Sequence, residues 1–335
     1  MNFQGLSKVE NAQHYIDTAF RQASKVIDDK RKQLKGKKLD RIQKSRIMEI
    51  EKVNSVKNII VGNLDAITNA YPQTTQLPLF YLELIKATID YFMLKKSLGA
   101  LSWASKRIKD LCDKYSWKIR HCKDFDAIGK YRNEAFGRMA SMVKQINENL
   151  HYLEFARKTM KAFPAIKTGI PTVVIAGYPN VGKSTLLKAL TGANVEIASY
   201  PFTTKQIMMG YIEKKLQIID TPGLLDRPIE KRNPIERHAV LALKYLAEKI
   251  IFVLDPSEGC GFPIKDQIKL MNEIKKTFAV ETIVVINKID CTAPDQMESV
   301  KNLKALHISA EKGEGVAELK KLIWPKPAPE GQTLS

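Results

Sequence analysis

Cysteine is scarce in this chain of 335 residues, and its spacing carries no pattern. The 4 cysteines are Cys112, Cys122, Cys260 and Cys291, and none of them forms a Cys-x-x-Cys pair. This spacing argues against a disulfide framework, a zinc site and a redox centre. The 5 histidines show no ligand spacing either. We therefore expect reduced cysteines that pack within the fold, and no metal held by Cys or His.

Long apolar runs are also missing. No stretch approaches the roughly 20 apolar residues that cross a bilayer. The first residues, MNFQGLSKVENAQ, lack the basic start and apolar core of a secretory signal. The content of 44% hydrophobic and 27% charged residues is ordinary for a folded protein. These features predict a soluble, cytoplasmic protein with no membrane partner.

Acidic residues are too few to balance the basic ones in the first half of the chain. Residues 1–170 hold 32 Lys and Arg against 17 Asp and Glu, a net charge of +15, whereas the remaining residues hold 22 against 19, a net of +3. The excess is densest at residues 30–46 and 95–123. Such an asymmetry indicates a polyanionic partner, either nucleic acid or an anionic membrane surface.

Glycine and proline are rare before residue 167, and apolar residues there recur every three or four positions, as in Met142, Ile146, Leu150 and Leu153. This is helical periodicity. Further on, short β-branched runs at 172–176, 216–219, 249–254, 282–286 and 306–308 alternate with helical stretches, as in a buried parallel sheet. We predict an α-helical N-terminal domain (1–167), a doubly wound α/β domain (168–325) and a mobile tail (326–335).

The phosphate-loop motif is G-x-x-x-x-G-K-[ST], and it occurs here as GYPNVGKS between an apolar strand and a helical stretch. Glycines at its ends let backbone N–H groups turn towards phosphate oxygens at a helix N-terminus. Lys183 is expected to contact the β- and γ-phosphates, and the Ser184 hydroxyl to ligate Mg²⁺.

A second motif, Asp220-Thr221-Pro222-Gly223, ends the next apolar strand. Its carboxylate can face the metal, and the Gly223 N–H can face the γ-phosphate. Between the two motifs, the loop YPFTTK offers two hydroxyls for the metal. We favour Thr204, with Thr203 as the alternative, and a plain surface turn explains this loop equally well when it is judged alone.

The base-reading motif Asn287-Lys288-Ile-Asp290 follows another apolar strand. The Asp290 carboxylate can accept two hydrogen bonds from guanine, whereas adenine offers neither donor. Lys288 is expected to lay its stem over the base, and Ser309-Ala310-Glu311 to offer the Ala310 N–H to the guanine oxygen. Five such elements in this order predict that the doubly wound α/β domain (168–325) is a P-loop GTPase domain, which binds GTP and GDP and hydrolyses GTP.

The residues assigned from the sequence fall into three groups. Catalysis is assigned to Lys183, Thr204 and Gly223, and the metal to Ser184, Thr204 and Asp220. Nucleotide binding is assigned to Gly177, Tyr178, Pro179, Asn180, Val181, Gly182, Lys183, Ser184, Thr185, Asp220, Thr221, Pro222, Gly223, Asn287, Lys288, Asp290, Ser309, Ala310 and Glu311.

The stretches AGYPNVGKSTL, ASYPFTTK, DTPGLLDRPIEKRNPIE and LDPSEGCGFPIKDQ resemble the nucleolar GTP-binding protein family of the Obg-related GTPases. The resemblance extends to WASKRIKDL and EAFGRMASMVKQINENL in the helical half. It implies a switch in assembly of the large ribosomal subunit, with ribosomal RNA or a pre-ribosomal particle as partner. Eukaryotic members continue well beyond the GTPase domain, so we expect a short, archaeal-type member for which a nucleolar location does not carry over.

Leu224 stands where Ras-like enzymes carry the Gln that orients the attacking water. We therefore expect slow intrinsic hydrolysis. In related GTPases that lack this Gln, an Asn at the position of Asn180 helps to ligate potassium, so K⁺ is a second expected cation. Arg227, Glu230, Arg232 and Asn233 are candidates for switch contacts, with a solvated charged loop as the alternative. Two other functions stay open: a membrane-surface GTPase and a module that binds guanine nucleotides without hydrolysing them.

Overall fold

The structure, a computed structural model, describes residues 3–34, 40–192, 195–200, 206–228, 230, 232 and 234–325. The predicted tail 326–335 and the alternatives Thr203 and Thr204 lie outside the described residues. The described helices are α1 (Ala12–Leu34), α2 (Arg41–Ala70), α3 (Leu79–Thr88), α4 (Tyr91–His121), α5 (Phe125–Gln145), α6 (Asn147–Lys161), α7 (Lys183–Thr191), α8 (Pro234–Ala242), α9 (Ile264–Phe278), α10 (Pro294–Glu298) and α11 (Val316–Ile323). None of the helices in this part of the chain is long and apolar enough to cross a membrane.

The chain folds into two compact units. One unit comprises Phe3–Gln76 and Ile89–Lys161, and the other comprises Leu77–Thr88 and the chain from Ala162 onwards. This division differs from the boundary expected at residue 167, because α3 lies within the second unit. Periodicity predicts that residues 79–88 are helical, but it does not indicate which apolar surface the helix covers.

The helical unit is built from α1, α2, α4, α5 and α6. The helix α2 begins at a capping box, in which the Asp40 side chain accepts from the Gln43 N–H and the Gln43 side chain accepts from the Asp40 N–H. Apolar side chains at three- and four-residue spacing, such as Val53, Ile60 and Leu64, are fully buried. The predicted helical N-terminal domain is therefore confirmed.

The second unit is organised around one sheet. Its strands are β1 (Thr172–Ala176), β2 (Glu196–Ala198), β3 (Ile207–Ile212), β4 (Leu216–Asp220), β5 (Lys249–Leu254), β6 (Glu281–Ile286) and β7 (Leu306–His307). Within the described residues the strand order is β2-β3-β4-β1-β5-β6-β7. The five predicted strands pair in parallel, whereas β2 and β3 pair antiparallel at one edge, so the sheet is mixed.

The helix α3 packs against α8 and the short 3₁₀ turn Leu243–Tyr245. The Tyr81 hydroxyl donates to the Pro164 carbonyl at 2.9 Å and accepts from the Ile166 N–H at 2.9 Å. Phe80 is also buried, with its ring centroid 6.5 Å from that of Tyr200. This segment of the first half therefore belongs to the core of the second unit.

Candidate functional site

The phosphate-loop motif lies between β1 and α7, as the sequence predicts. Gly177 and Gly182 have φ values of 140° and 97°, a region that L side chains rarely adopt. A Cβ at Gly177 would lie 2.6 Å from the Val253 carbonyl oxygen, and one at Gly182 would clash with the Asn287 amide. Glycine is therefore required at both ends of the loop, because β5 and the residues after β6 approach it closely.

Lys183 is the first residue of α7, and its side chain is buried beneath the loop. Its Nζ donates to the carbonyl oxygens of Gly177 at 2.9 Å and Tyr178 at 2.6 Å. A cavity of about 390 Å³ opens beside it, and its lining residues are Pro179, Asn180, Gly182, Lys183, Ser184, Thr185, Pro222 and Asp226. Most of the residues that the sequence assigned to phosphate binding thus face one cavity.

Asp220 ends β4 beside the phosphate loop. The Ser184 hydroxyl donates to Asp220 Oδ2 at 2.7 Å, and Asp220 is fully buried. Its other oxygen, Oδ1, has no hydrogen-bond partner among the described residues. Burial raises the pKa of Asp220 above its ordinary value, an effect opposed by the Ser184 hydrogen bond and the Lys183 charge. An unpaired buried carboxylate oxygen next to a hydroxyl is a donor set that suits Mg²⁺.

The segment after Asp220 is tied to β1. The Thr221 hydroxyl donates to the Ile175 carbonyl at 3.1 Å, and the Gly177 N–H donates to the Leu225 carbonyl at 3.1 Å. Gly223 has a φ of 82°, and Leu224 is 1% exposed. The side chain that replaces the Ras-like Gln is therefore buried in the fold.

Asn287 connects the phosphate loop with the Ser-Ala-Glu loop. Its Nδ2 donates to the Val181 carbonyl at 2.9 Å, and its Oδ1 accepts from the Ala310 N–H at 2.9 Å. The sequence assigned the Ala310 N–H to the guanine oxygen, whereas here this group donates to Asn287. Asn287 thus holds two loops together, a role that the motif alone did not indicate.

Asp290 and Ser309 come together at the carboxyl edge of the sheet. The hydrogen bond between the Ser309 side chain and Asp290 holds the pKa of that carboxyl below its ordinary value. The Ser309 side chain itself is fully buried. A second hollow, of about 560 Å³, includes Thr185, Ala310 and Glu311 in its lining. Tyr178 lies apart from these residues and packs on Phe262, with ring centroids 4.4 Å apart.

Asp255 is not among the residues that were assigned to the site from the sequence. It is fully buried, and its Oδ2 accepts from Lys288 Nζ at 2.6 Å and from the Cys260 N–H at 3.0 Å. Gln267 fixes the same loop, because its side chain pairs with both the N–H and the carbonyl of Asp255. A buried carboxylate after an apolar strand was a signal available in the sequence. Its pairing with Lys288 required the fold.

The four switch candidates are not equivalent. Arg227 is exposed and pairs with Glu236 at 3.4 Å, and Glu230 is exposed, whereas the Arg232 side chain is only 1% exposed. Asn233 lies outside the described residues. The predicted alternative of a solvated loop therefore does not describe Arg232, which is buried against the segment that follows β4.

These features define the class of the protein. A phosphate loop between β1 and α7, a carboxylate at the end of the neighbouring strand and an Asn-Lys-x-Asp motif after β6 form a P-loop GTPase domain.

Comparison with known proteins agrees with this class. Residues 3–167 match the family described as the NOG1 N-terminal helical domain, and residues 172–288 match that described as 50S ribosome-binding GTPase. An uncharacterized protein of Methanocaldococcus jannaschii is 45% identical over 280 residues, which span 84% of this chain and 78% of that protein. Nucleolar GTP-binding protein 1 of Drosophila melanogaster is 31% identical over 338 residues, which span 95% of this chain and 50% of that protein.

Among solved structures, nucleolar GTP-binding protein 1 of Plasmodium falciparum is 36% identical, with a TM-score of 0.41 over 48% of this chain and 87% of that chain. The chain belongs to the nucleolar GTP-binding protein 1 family. It spans about half the length of several eukaryotic relatives that it matches.

Proposed function

We propose that this chain binds GTP with Mg²⁺, hydrolyses it to GDP, and acts as a switch in assembly of the large ribosomal subunit. One observation supports the nucleotide part most strongly. Asn287 accepts from the Ala310 N–H and donates to the Val181 carbonyl, so it joins the phosphate loop to the loop that carries Ser309 and Ala310. The segments proposed to bind the phosphates and the base are therefore connected by hydrogen bonds through Asn287.

Each assigned side chain has a distinct part in this proposal. Lys183 presents a positive charge to the β- and γ-phosphates, and the Gly223 N–H faces the γ-phosphate. Ser184 and Asp220 would hold Mg²⁺, together with Thr204, which lies outside the described residues. Such an ion would supply positive charge that offsets the negative charge developing during phosphoryl transfer. Asp290 accepts hydrogen bonds from guanine, while Lys288, anchored by Asp255, supports the base.

Turnover by the purified chain tests hydrolysis. Phosphate release should be slow with GTP, because Leu224 is buried and no Gln stands at its position. It should be absent with ATP at equal concentration, because adenine lacks the two donors that Asp290 is proposed to bind. GTP binding without any release above the uncatalysed rate would instead favour the alternative of a non-hydrolysing module.

A potassium ion is part of the same proposal. Asn180 has a φ of 63° and lines the phosphate cavity, so its side chain stands at the edge of the phosphate site. A cation there would neutralise negative charge that develops during phosphoryl transfer. An arginine finger, which performs the same task in other GTPases, raises the rate by about 10³ to 10⁵. Turnover in potassium should exceed turnover in sodium at equal ionic strength, and Asn180→Ala should remove the difference. Equal rates in both salts at saturating Mg²⁺ would contradict this part.

Ribosomal RNA is the proposed partner of the helical unit. Residues 1–170 carry 32 basic against 17 acidic residues. Trp103 and Trp117 are 47% and 63% exposed on α4, whereas Tyr115 is buried and its hydroxyl donates to Glu134 at 3.0 Å. Both tryptophans, which lie among the basic residues 95–123, therefore present exposed ring surface that can stack on unpaired bases, although one face of Trp117 contacts the His121 ring. The description of the second matched family as ribosome-binding supports the same partner.

Binding to RNA compared with binding to lipid vesicles separates this partner from a membrane surface. The logarithm of RNA affinity should fall linearly with the logarithm of salt, with a slope of about −0.7 to −0.9 per phosphate contact. Binding to vesicles that contain anionic lipid, without binding to large-subunit RNA, would favour the membrane-surface alternative. Co-sedimentation with large-subunit particles, compared between GTP and GDP, tests the role in assembly.

A further inference from the structure

Arg232 is a buried cation in the segment that joins β4 to α8. Its side chain is 1% exposed, and one terminal nitrogen donates to the Gly223 carbonyl at 2.9 Å. The other donates to the Arg227 carbonyl at 3.3 Å. The guanidinium therefore holds the backbone of the residue whose N–H is assigned to the γ-phosphate.

The contact between Arg232 and Asp226 concerns the phosphate cavity as well. The terminal nitrogen of Arg232 lies 3.5 Å from Asp226 Oδ1, and Asp226 lines the cavity together with Pro222. A carboxylate at that position repels phosphate unless a cation offsets its charge. Arg232 supplies this positive charge from a buried position in the same segment.

Stability alone does not explain such an arginine. Its Nε is buried without a hydrogen-bond partner among the described residues, and burial lowers the pKa of Arg232 below its ordinary value. A buried ion pair with long contacts is a poor source of stability, because desolvation offsets the attraction. The guanidinium remains charged, since arginine is not deprotonated in proteins.

We propose that Arg232 is a positioning residue that favours GTP over GDP by holding the Gly223 carbonyl. The proposal rests on the proposed function, in which the Gly223 N–H faces the γ-phosphate. Gly223 has a φ of 82° and no Cβ, so its flanking peptides can rotate with little steric hindrance. Arg232 fixes the peptide that follows Gly223 and so narrows the range of orientations open to the Gly223 N–H, and only a triphosphate benefits from that narrowing.

Nucleotide affinities of the full chain test the proposal. The dissociation constants of GDP and of a non-hydrolysable GTP analogue, both with Mg²⁺, should be measured for Arg232→Gln and Arg232→Lys. Arg232→Gln should weaken binding of the GTP analogue by about 10- to 100-fold, which is the effect on affinity of losing one hydrogen bond from a charged group. GDP affinity should change by less than about 3-fold, which also shows that the variant folds. Arg232→Lys should give a smaller loss, because it keeps the charge without the planar fork.

Arg237→Gln is the matched control, since Arg237 is an exposed arginine on α8. It should leave the ratio of the two affinities unchanged. The proposal is overturned if Arg232→Gln weakens the binding of both nucleotides equally, or if it leaves the ratio of the two dissociation constants unchanged for any other reason. If the unaltered chain binds neither nucleotide, the proposed function itself fails.

A double variant separates the two contacts of Arg232. In Arg232→Gln with Asp226→Asn, the carboxylate that needed an offsetting charge is gone, but the Gly223 carbonyl is still released. A persistent analogue-specific loss supports the route through Gly223. Recovery of the normal ratio would show that Arg232 only neutralises Asp226, and would overturn that route.

Discussion

The two units bury polar side chains in different ways. In the second unit, Asp220, Asp255, Asn287 and Ser309 are buried and lie at or just after the carboxyl ends of strands. Among the described residues of the helical unit, the buried polar ones are Glu49, Ser55, Ser97 and Ser105, while the basic residues of α4 lie mostly on the surface. In the proposed function, individual buried atoms would therefore determine the chemistry of the second unit, and distributed surface charge would determine that of the first.

Asp290→Asn should give the largest effect. Two hydrogen bonds to a charged group are worth about 1.5 to 3 kcal/mol each, so guanine affinity should fall on the order of 10² to 10⁴. Affinity for a xanthosine nucleotide should rise, because the new amide can donate where the carboxylate could not. A competition assay between the two nucleotides measures both changes, and an unaltered preference for GTP would remove Asp290 from this role.

Lys183→Gln should slow GTP turnover by about 10² to 10³, the effect of removing one charge-stabilising donor from an active site. The loop carbonyls of Gly177 and Tyr178 also lose their ammonium partner. Single-turnover kinetics at saturating GTP give the rate, and the exposed Lys188 on the same helix provides the control Lys188→Gln. A rate within 3-fold of the unaltered chain would contradict the assignment.

Charge reversal on α4 should affect RNA and leave nucleotides alone. Lys106→Glu with Lys114→Glu removes two exposed cations and adds two repulsive charges. RNA affinity should fall by about 30-fold or more near physiological salt. The matched change Lys265→Glu with Lys269→Glu, on exposed positions of α9 in the other unit, should have less effect. Similar losses in both pairs would show that the charge response is not confined to the helical unit.

Glu154 provides a test of pH dependence in the helical unit. It accepts from Arg157 at 2.7 Å and from the Val9 N–H at 2.9 Å, and the Arg157 hydrogen bond lowers the pKa of Glu154 below its ordinary value of 4.5. A lowered folded-state pKa gives stability that is present above the unfolded pKa and is lost as pH falls through the folded one.

Glu154→Gln should therefore cost about 2 kcal/mol at neutral pH and progressively less below about pH 4.5. Urea unfolding at several pH values measures this, with Glu148→Gln as the control on an exposed position of α6. A loss that does not change with pH would mean that the carboxylate charge is not the cause.

Tyr81→Phe should give the smallest effect, about 1 kcal/mol. Burial raises the pKa of Tyr81 to about 12, so its hydroxyl stays protonated and keeps its bonds to Pro164 and Ile166. Hydrogen exchange should accelerate at residues 77–88 and 162–167 and stay unchanged in α2 and α4. Equal acceleration in those two helices would contradict the assignment of α3 to the second unit.

The sequence predicted the five parallel strands, because continuous β-branched runs that alternate with helical stretches are typical of buried parallel strands. It did not predict β2 and β3, since β2 has only three residues and its pattern is not distinguishable from a loop. Helical periodicity identified the helices of the first half, but it did not indicate that α3 packs with the second unit. The residues assigned to nucleotide binding were recognised from motifs. Arg232 was named only as one of four switch candidates and Asp255 was not assigned, because their partners Gly223 and Lys288 are known only from the fold.

The sequence by itself determined the family, the kind of nucleotide and the location of the basic excess, because short motifs and composition are local properties of the chain. Tertiary structure alone decided which residues support the site. Asn287 reaches Val181 across 106 positions, and Lys288 reaches Asp255 across 33. These contacts depend on parallel strands that meet at one sheet edge, and strand order is a long-range property that local pattern does not encode.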